Sequence, residues 1–110
     1  MAQRRKTVTE DYPLRSLTID GNPVDFQSAT IYKDTTMLEA GSKWIEDTWS
    51  WRGVIISNTY TPDIADLGES HSFEAESVNG KTLAGDLLIQ NMVANGMTRI
   101  VGGSEPLTIS

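Results

Sequence analysis

Apolar and polar side chains alternate along several stretches of this chain, which is the pattern of strands that bury one face. The clearest stretch is residues 44–60, where Trp49, Trp51, Gly53 and Ile55 share one face of a long strand that we expect to bend or bulge near Gly53. We predict the other strands at residues 14–20, 24–33, 71–76, 82–92 and 97–101, with a short terminal strand over 105–109.

Two Asn-Gly pairs lie in the C-terminal third. Asn79-Gly80 and Asn95-Gly96 each separate two alternating segments. Asn-Gly is the strongest short-range hairpin signal, because both central residues of a type I′ turn need positive φ. We therefore predict two consecutive hairpins with type I′ turns. A further turn is predicted at Asp20-Gly21, where Pro23 cannot donate to a ladder and so delays the return strand or places it at an edge.

Three segments lack the alternation. Residues 1–12 are predicted to form a basic N-terminal arm, residues 35–43 a short helix or loop, and residues 61–69 a loop or a single turn. Six or seven strands with at most one short helix indicate an all-β fold, either an antiparallel β-sandwich or a small β-barrel. A chain of 110 residues has room for one core. We predict the extended arm over 1–12 and a single β domain over 13–110.

The charge is distributed unevenly. The net charge is −6, yet four basic and two acidic residues give the first 15 residues +2, which leaves −8 on the remainder. An acidic body argues against nucleic acid as a partner. Aliphatic runs no longer than Val54–Ile56 and Leu87–Ile89 argue against a membrane. The sequence has no cysteine, which excludes disulfides and thiolate metal sites.

Candidate catalytic and ligand-binding groups are sparse. His71 is the single histidine, and no G-x-S-x-G elbow accompanies it to favour a Ser-His-Asp site. Gly80-Lys81-Thr82 matches the end of a phosphate-binding loop but lacks its leading glycine. Asp63, Asp66 and Glu69 are either a solvated loop or Ca²⁺ ligands, without the spacing of an EF-hand. We expect a protein that is not an enzyme, with no catalytic, cofactor-binding or metal residue and no cofactor.

Six residues are candidates for a partner interface: Arg4, Arg5, Lys6, Trp44, Trp49 and Trp51. The basic residues are either a solvated tail or an arm that docks on an acidic neighbour, and the body of this chain is such a surface. The tryptophans are either core residues or exposed anchors, since exposed tryptophans are enriched at interface hot spots. Both interpretations are open at this point.

The C-terminal third resembles a known class of proteins. Its pattern is a hairpin with a D/N-G-R/K turn, a second hairpin and a closing G-x-G-P-L, carried by residues 72–76, 79–81, 85, 87–91, 98–101 and 103–107. Glu105 departs from this pattern at the second glycine of the closing turn. The pattern resembles that of small β-rich structural proteins encoded by phages and prophages.

The resemblance implies a non-enzymatic structural subunit of a phage-like particle. Capsid decoration or cement is the first expectation, and a head-tail connector or tail component is the next. The implied partners are copies of the same chain in a homo-oligomer or symmetric array, together with capsid or tail proteins, in a virion assembled in the bacterial cytoplasm. The alternative from another class is a carbohydrate- or ligand-binding β-sandwich in which Trp49 and Trp51 stack on a sugar ring.

Overall fold

A computed structural model describes residues 4–58, 67–93, 96–103 and 107–110 of the chain. These residues form eight strands and no helix, so nothing in the described part could cross a bilayer as a helix. The strands are β1 (Arg5–Ile19), β2 (Asn22–Pro23), β3 (Ser28–Ala40), β4 (Lys43–Ile56), β5 (Ser70–Ser77), β6 (Thr82–Val93), β7 (Met97–Gly102) and β8 (Thr108–Ile109).

Six of the strands close into an antiparallel barrel. Their order is β1-β3-β4-β7-β6-β5, and β5 pairs back to β1. The remaining two strands lie outside this ring, with β2 paired to β1 and β8 paired to β6. The predicted all-β class is confirmed, and the architecture is the small barrel. The strand after the Asp20-Gly21 turn was expected to start late or to lie at an edge because of Pro23. Only Asn22 and Pro23 pair with β1 after this turn, and the barrel strand β3 begins at Ser28.

The barrel interior is filled by alternate residues of its strands. Ile31, Leu83 and Leu87 are fully buried, and Trp51 packs against Phe73 with ring centroids 5.1 Å apart. The other buried apolar residues are Leu14, Leu17, Ile19, Val24, Ala29, Ile55, Ala75, Ile89, Ile100 and Leu107. The described residues therefore share one continuous core.

The bulge predicted near Gly53 lies elsewhere. Gly53 keeps a regular ladder with Ile31, and a Cβ there would stand 3.0 Å from Cγ1 of Ile100, so a side chain at this position would require Ile100 to shift. The irregularity of β4 falls at Asp47, which has no partner on β3 because Thr36 pairs with Thr48 and Met37 pairs with Glu46. The bulge is therefore outside the barrel.

Strand β1 changes its neighbour halfway along. Residues 5–13 pair with β3, and residues 14–19 pair with β5. A bulge at Arg15 lets both Leu14 and Leu17 face the core, while Arg15 itself faces outward and forms an ion pair with Glu76. The first half of β1 is therefore continuous with the half that closes the barrel against β5.

The hairpin predicted at Asn79-Gly80 is present, but its turn is not type I′. Gly80 has φ 85° and Asn79 does not have positive φ. The Gly80 N–H donates to the Ser77 carbonyl (3.0 Å) and the Ser77 N–H donates to the Lys81 carbonyl (2.8 Å), which is a three-residue loop closed by a left-handed glycine. A two-residue loop would shift the register by one residue and turn one strand's apolar face to solvent.

The second predicted hairpin is also present, since Val93 pairs with Met97 across a three-residue loop. Asn95 lies outside the described residues. Gly96 has φ 74°, and its carbonyl accepts the Ser57 N–H at 3.0 Å. A Cβ at Gly96 would lie 2.2 Å from the Ser57 carbonyl oxygen, so this position requires glycine for close approach as well as for its conformation.

The structure differs from the predictions in two of the remaining segments. Residues 35–40 continue β3 instead of forming a helix or loop, and a two-residue turn at Gly41-Ser42 leads into β4. Pairing on both edges of β3 overrides the helix propensity of this segment. The N-terminal arm is extended as predicted, but residues 5–12 are the first half of β1 and pair with β3, so ordered structure begins well before Pro13.

Candidate functional site

The candidate site lies on a sheet that extends beyond the closed barrel. Strand β4 pairs with β7 only through residues 52–56, and β1 joins β5 only from Leu14 onward. Residues 5–12, 33–40 and 43–51 therefore form a three-stranded sheet with no neighbour among the described strands on either side. We call this sheet the projection. It contributes to an elongated shape with extents of 51 × 29 × 25 Å.

One face of the projection continues the interior face of the barrel and carries aromatic and cationic side chains. The ammonium of Lys6 lies 4.4 Å from the centroid of the Trp44 ring, and the guanidinium of Arg4 lies 6.0 Å from it. Arg4 also forms a 3.2 Å ion pair with Glu39. Cation–π contacts at exposed sites contribute about 0.5–1 kcal/mol each. We call this the aromatic face.

The aromatic face extends from the tip of the projection towards the barrel. Trp49 is half-buried beside Lys33, whose ammonium lies 4.9 Å from the ring centroid. Val8 on β1 is 41% exposed and shares the register of Thr35 and Trp49. Aromatic rings and charged side chains of both signs therefore lie side by side on this face, where Glu10, Glu39 and Glu46 share the register of Lys33, Trp44 and Met37.

The opposite face of the projection carries Leu38 and the exposed Ile45 near the tip and a polar network around Asp34. The Asp34 carboxylate accepts hydrogen bonds from the Thr9 hydroxyl (2.6 Å) and the Arg52 Nε (3.1 Å). The hydrogen bond from Thr9, followed by the bond and charge of Arg52, holds the pKa of Asp34 below its usual value. Arg52 also covers the Tyr32 ring at 4.6 Å. This network ties the three strands of the projection together.

The structure divides the six predicted interface residues into three groups. Arg4, Lys6 and Trp44 come together at the tip of the aromatic face, and Trp49 lies further along the same face. Arg5 lies on the opposite face, because side chains alternate along β1. Trp51 is 5% exposed and belongs to the core, so it cannot share a stacking surface with Trp49.

The aromatic face also includes Lys33, Met37 and Glu39 of β3, which were not predicted. They fall in the segment that was predicted partly as a helix or loop. They occupy odd-numbered positions of β3, which lie on one face of a strand. The buried residues Ala29 and Ile31 occupy earlier positions of the same series. That continuation is the signal that could have identified them.

A second polar site lies at the turn between β1 and β2. Nδ1 of His71 lies 2.7 Å from Oδ2 of Asp20, and the Ser72 N–H donates to Oδ1 of Asp20 at 3.1 Å. The hydrogen bond with His71 is the largest cause that lowers the pKa of Asp20, and the bonds with Ser72 add to it. Asp20 has φ 52°, so these contacts hold a left-handed residue in place.

This second site does not have the order of a catalytic relay. The Ser72 hydroxyl lies 3.5 Å from Asp20 Oδ1, so the carboxylate stands between this serine and the imidazole. In a hydrolase triad the imidazole stands in the middle. A cleft of about 220 Å³ opens beside His71, walled by Ile19, Val24 and Ile89 among others. The geometry of Asp20, His71 and Ser72 is that of a stabilised turn.

The remaining candidates also lie in turns and loops. Lys81 follows the three-residue turn between β5 and β6, and its N–H donates to the Ser77 hydroxyl at 3.0 Å. Of the predicted acidic loop, Asp63 and Asp66 lie outside the described residues. Among the described residues no group of three or more His, Cys, Asp or Glu side chains is placed to hold a metal ion.

No protein-family model, no curated protein and no solved structure matches the chain.

Proposed function

We propose that this chain is a non-enzymatic structural subunit of a phage-like particle, in the first place a capsid decoration protein, with a head-tail connector or tail component as the next candidate. The observation that carries the proposal is the projection, whose outer edges are unpaired with any described strand. Such edges are sites for pairing with another chain. The resemblance of the C-terminal third to phage structural proteins supports the particle as the setting.

The chemistry of the projection supports a binding role. Its aromatic face presents Trp44 and Trp49, and large aromatic side chains dominate the energetics of protein interfaces. Three cations lie beside these rings on a chain whose net charge is −6. Glu10, Glu39 and Glu46 share this face, so the surface offers charges of both signs beside its rings to a neighbouring copy or to a capsid or tail protein.

The test measures assembly and particle binding together. Purified chain is analysed by light scattering at high concentration and is also mixed with phage-like capsids and tails that lack it. We expect a mass above 12.1 kDa and retention on particles. Trp44→Ala with Lys6→Ala should reduce retention, whereas Arg99→Ala on the barrel strand β7 should not. A chain that stays monomeric and binds no particle would overturn the proposal.

A carbohydrate-binding role is a second candidate function, with one tryptophan available to stack on a sugar ring instead of the two that were expected. Trp51 is buried, so any platform for a sugar ring rests on Trp49, whose one face is already taken by Lys33. Trp49 packs against the hydrophobic core but keeps part of its ring exposed, and this partial exposure is the observation in favour of the role. Titration with mono- and oligosaccharides while following tryptophan emission tests it. A saturable change that disappears in Trp49→Ala supports this candidate, and an unchanged emission rejects it.

A further inference from the structure

The outer edge of β1 has a defined set of free backbone groups. The Glu39 N–H donates to the Arg4 carbonyl at 3.0 Å, which places the even-numbered residues of this half of β1 in hydrogen bonds with β3. On the other edge the Pro13 carbonyl accepts the Val78 N–H at 2.9 Å. The N–H and C=O groups of Arg5, Thr7, Thr9 and Asp11 therefore point away from the projection, and no described strand pairs with them.

The side chains of the same segment form a charge palindrome about Val8. Its sequence is Arg-Lys-Thr-Val-Thr-Glu-Asp over residues 5–11. Residues at equal distance from Val8 are a base and an acid, or two threonines. If a second copy lies antiparallel with Val8 opposite Val8, Arg5 meets Asp11 and Lys6 meets Glu10 across the edge. Opposite charges directly across a strand pair are stabilising.

The backbone selects the same register as the charges. With Val8 opposite Val8, the outward-pointing residues Thr7 and Thr9 face each other as a hydrogen-bonded pair, and Arg5 and Asp11 do the same. A shift by two residues in either direction still pairs outward-pointing residues with each other. It sets Arg5 against Thr9 or Pro13, so the pairing of Arg5 with Asp11 is lost. Neither Arg5 nor Asp11 forms an ion pair with any described residue of its own chain.

We propose that two copies of this chain pair through their β1 edges in an antiparallel, two-fold symmetric dimer centred on Val8. The two projections become one continuous sheet, in which the two aromatic faces lie on the same side. The contact is isologous, so each copy contributes the same edge and the assembly closes at two. This inference deepens the proposed function and rests on it, because it names the partner of the projection as a second copy.

Charge reversal tests the pairing through side chains alone, and it leaves every backbone donor and acceptor of the β1–β3 ladder in place. Arg5→Glu with Lys6→Glu makes the edge acidic, and Glu10→Lys with Asp11→Lys makes it basic. Each variant alone should dissociate at least about tenfold more readily than the parent dimer, because four attractive pairs become repulsive. An equimolar mixture of the two variants should restore the dimer. The control Lys43→Glu with Glu46→Lys, on the far edge of the projection, should not change dimerisation.

A cysteine scan tests the register, since the chain has no cysteine of its own. Val8 would face Val8 in a non-hydrogen-bonded pair, where Cα atoms are about 4.5 Å apart and a disulfide can form. Val8→Cys should give a covalent dimer on mild oxidation. Lys6→Cys alone should not, but Lys6→Cys mixed with Glu10→Cys should cross-link.

The outcomes separate this inference from the proposed function. An oligomer that persists in both charge variants, or that cross-links through Lys6→Cys as well as through Val8→Cys, overturns the β1 pairing and leaves the structural role intact. A parent chain that is monomeric overturns the pairing as well. If that monomer also fails to bind particles, the proposed function is overturned too.

Discussion

The ammonium of Lys6 lies 4.4 Å from the centre of the Trp44 ring, although the two residues belong to strands that do not pair with each other. Strand β3 lies between them, and Met37 and Glu39 are its residues at the same level. The contact thus crosses the full width of the projection. It links the N-terminal basic residues to the tryptophan cluster, which the sequence presents as two separate features.

Trp51 should contribute far more to stability than Trp44. Replacing Trp51 with alanine empties a site in the barrel against Phe73 and should lower the free energy of unfolding by about 3–5 kcal/mol. Trp44→Ala is the matched control and should cost no more than about 1 kcal/mol, because its ring is only half-buried. Denaturant unfolding followed by circular dichroism measures both. Equal losses would contradict the assignment of Trp51 to the core.

The tryptophans should also differ in fluorescence. A variant that keeps only Trp51, with Trp44→Phe and Trp49→Phe, should emit at shorter wavelength and resist acrylamide. A variant that keeps only Trp44 should be readily quenched, since this ring lies at the surface with cations beside it. Stern–Volmer constants measure the contrast. Similar quenching of the two variants would mean that the aromatic face is covered in solution.

The Asp20–His71 hydrogen bond should make stability depend on pH in the acid range. The pKa of Asp20 is lowered in the folded chain, so its contribution is complete above the ordinary value of 3.8 and is lost as pH falls through the lower folded value. Asp20→Asn should therefore destabilise at neutral pH, and the difference from the parent should shrink below about pH 4. Asparagine also tolerates the positive φ at this position.

Chemical denaturation at a series of pH values measures this dependence. The control is Glu69→Gln, next to β5. The Glu69 carboxylate has no hydrogen bond or ion pair among the described contacts, so the difference in free energy of unfolding between this variant and the parent should not shrink at low pH. A constant difference between Asp20→Asn and the parent across the acid range would show that the carboxylate charge is unimportant to the turn.

Gly96 should tolerate alanine less well than Gly80. Both glycines have positive φ and close three-residue loops, so alanine at either costs about 1–2 kcal/mol from backbone conformation alone. A Cβ at Gly96 would additionally lie 2.2 Å from the Ser57 carbonyl oxygen, whereas a Cβ at Gly80 meets nothing within 4 Å. We expect Gly96→Ala to lose at least about 1 kcal/mol more than Gly80→Ala. Thermal unfolding of the pair measures the difference, and equal losses would contradict the close approach.

Periodicity predicted the barrel strands well because each of them buries one face. Trp51 and Ile55 fall inside the core as their spacing requires, and Phe73 and Ala75 do the same on β5. The projection was harder to predict, because a strand with solvent on both faces and along one edge has no apolar period. For this reason residues 5–12 looked like a tail.

The candidate site could be predicted only in part. Arg4, Lys6 and Trp44 were each singled out, but their meeting depends on the pairing of β1 and β4 with the same intermediate strand. That strand includes Met-Leu-Glu-Ala, four good helix formers, and local propensity gave no sign of the pairing that determines its structure. The Asp20–His71 contact joins residues 51 positions apart, which no local pattern encodes.

The change of partner along β1 also has a mechanical consequence. The same strand supplies the outer edge of the projection and, after Pro13, one side of the barrel seam with β5. Antiparallel hydrogen bonds run across the strands, so a pull on the projection along its axis loads the bonds of this seam together in shear. Tension on the N-terminal edge would therefore be resisted by all of these bonds at once, and the barrel would not open one bond at a time.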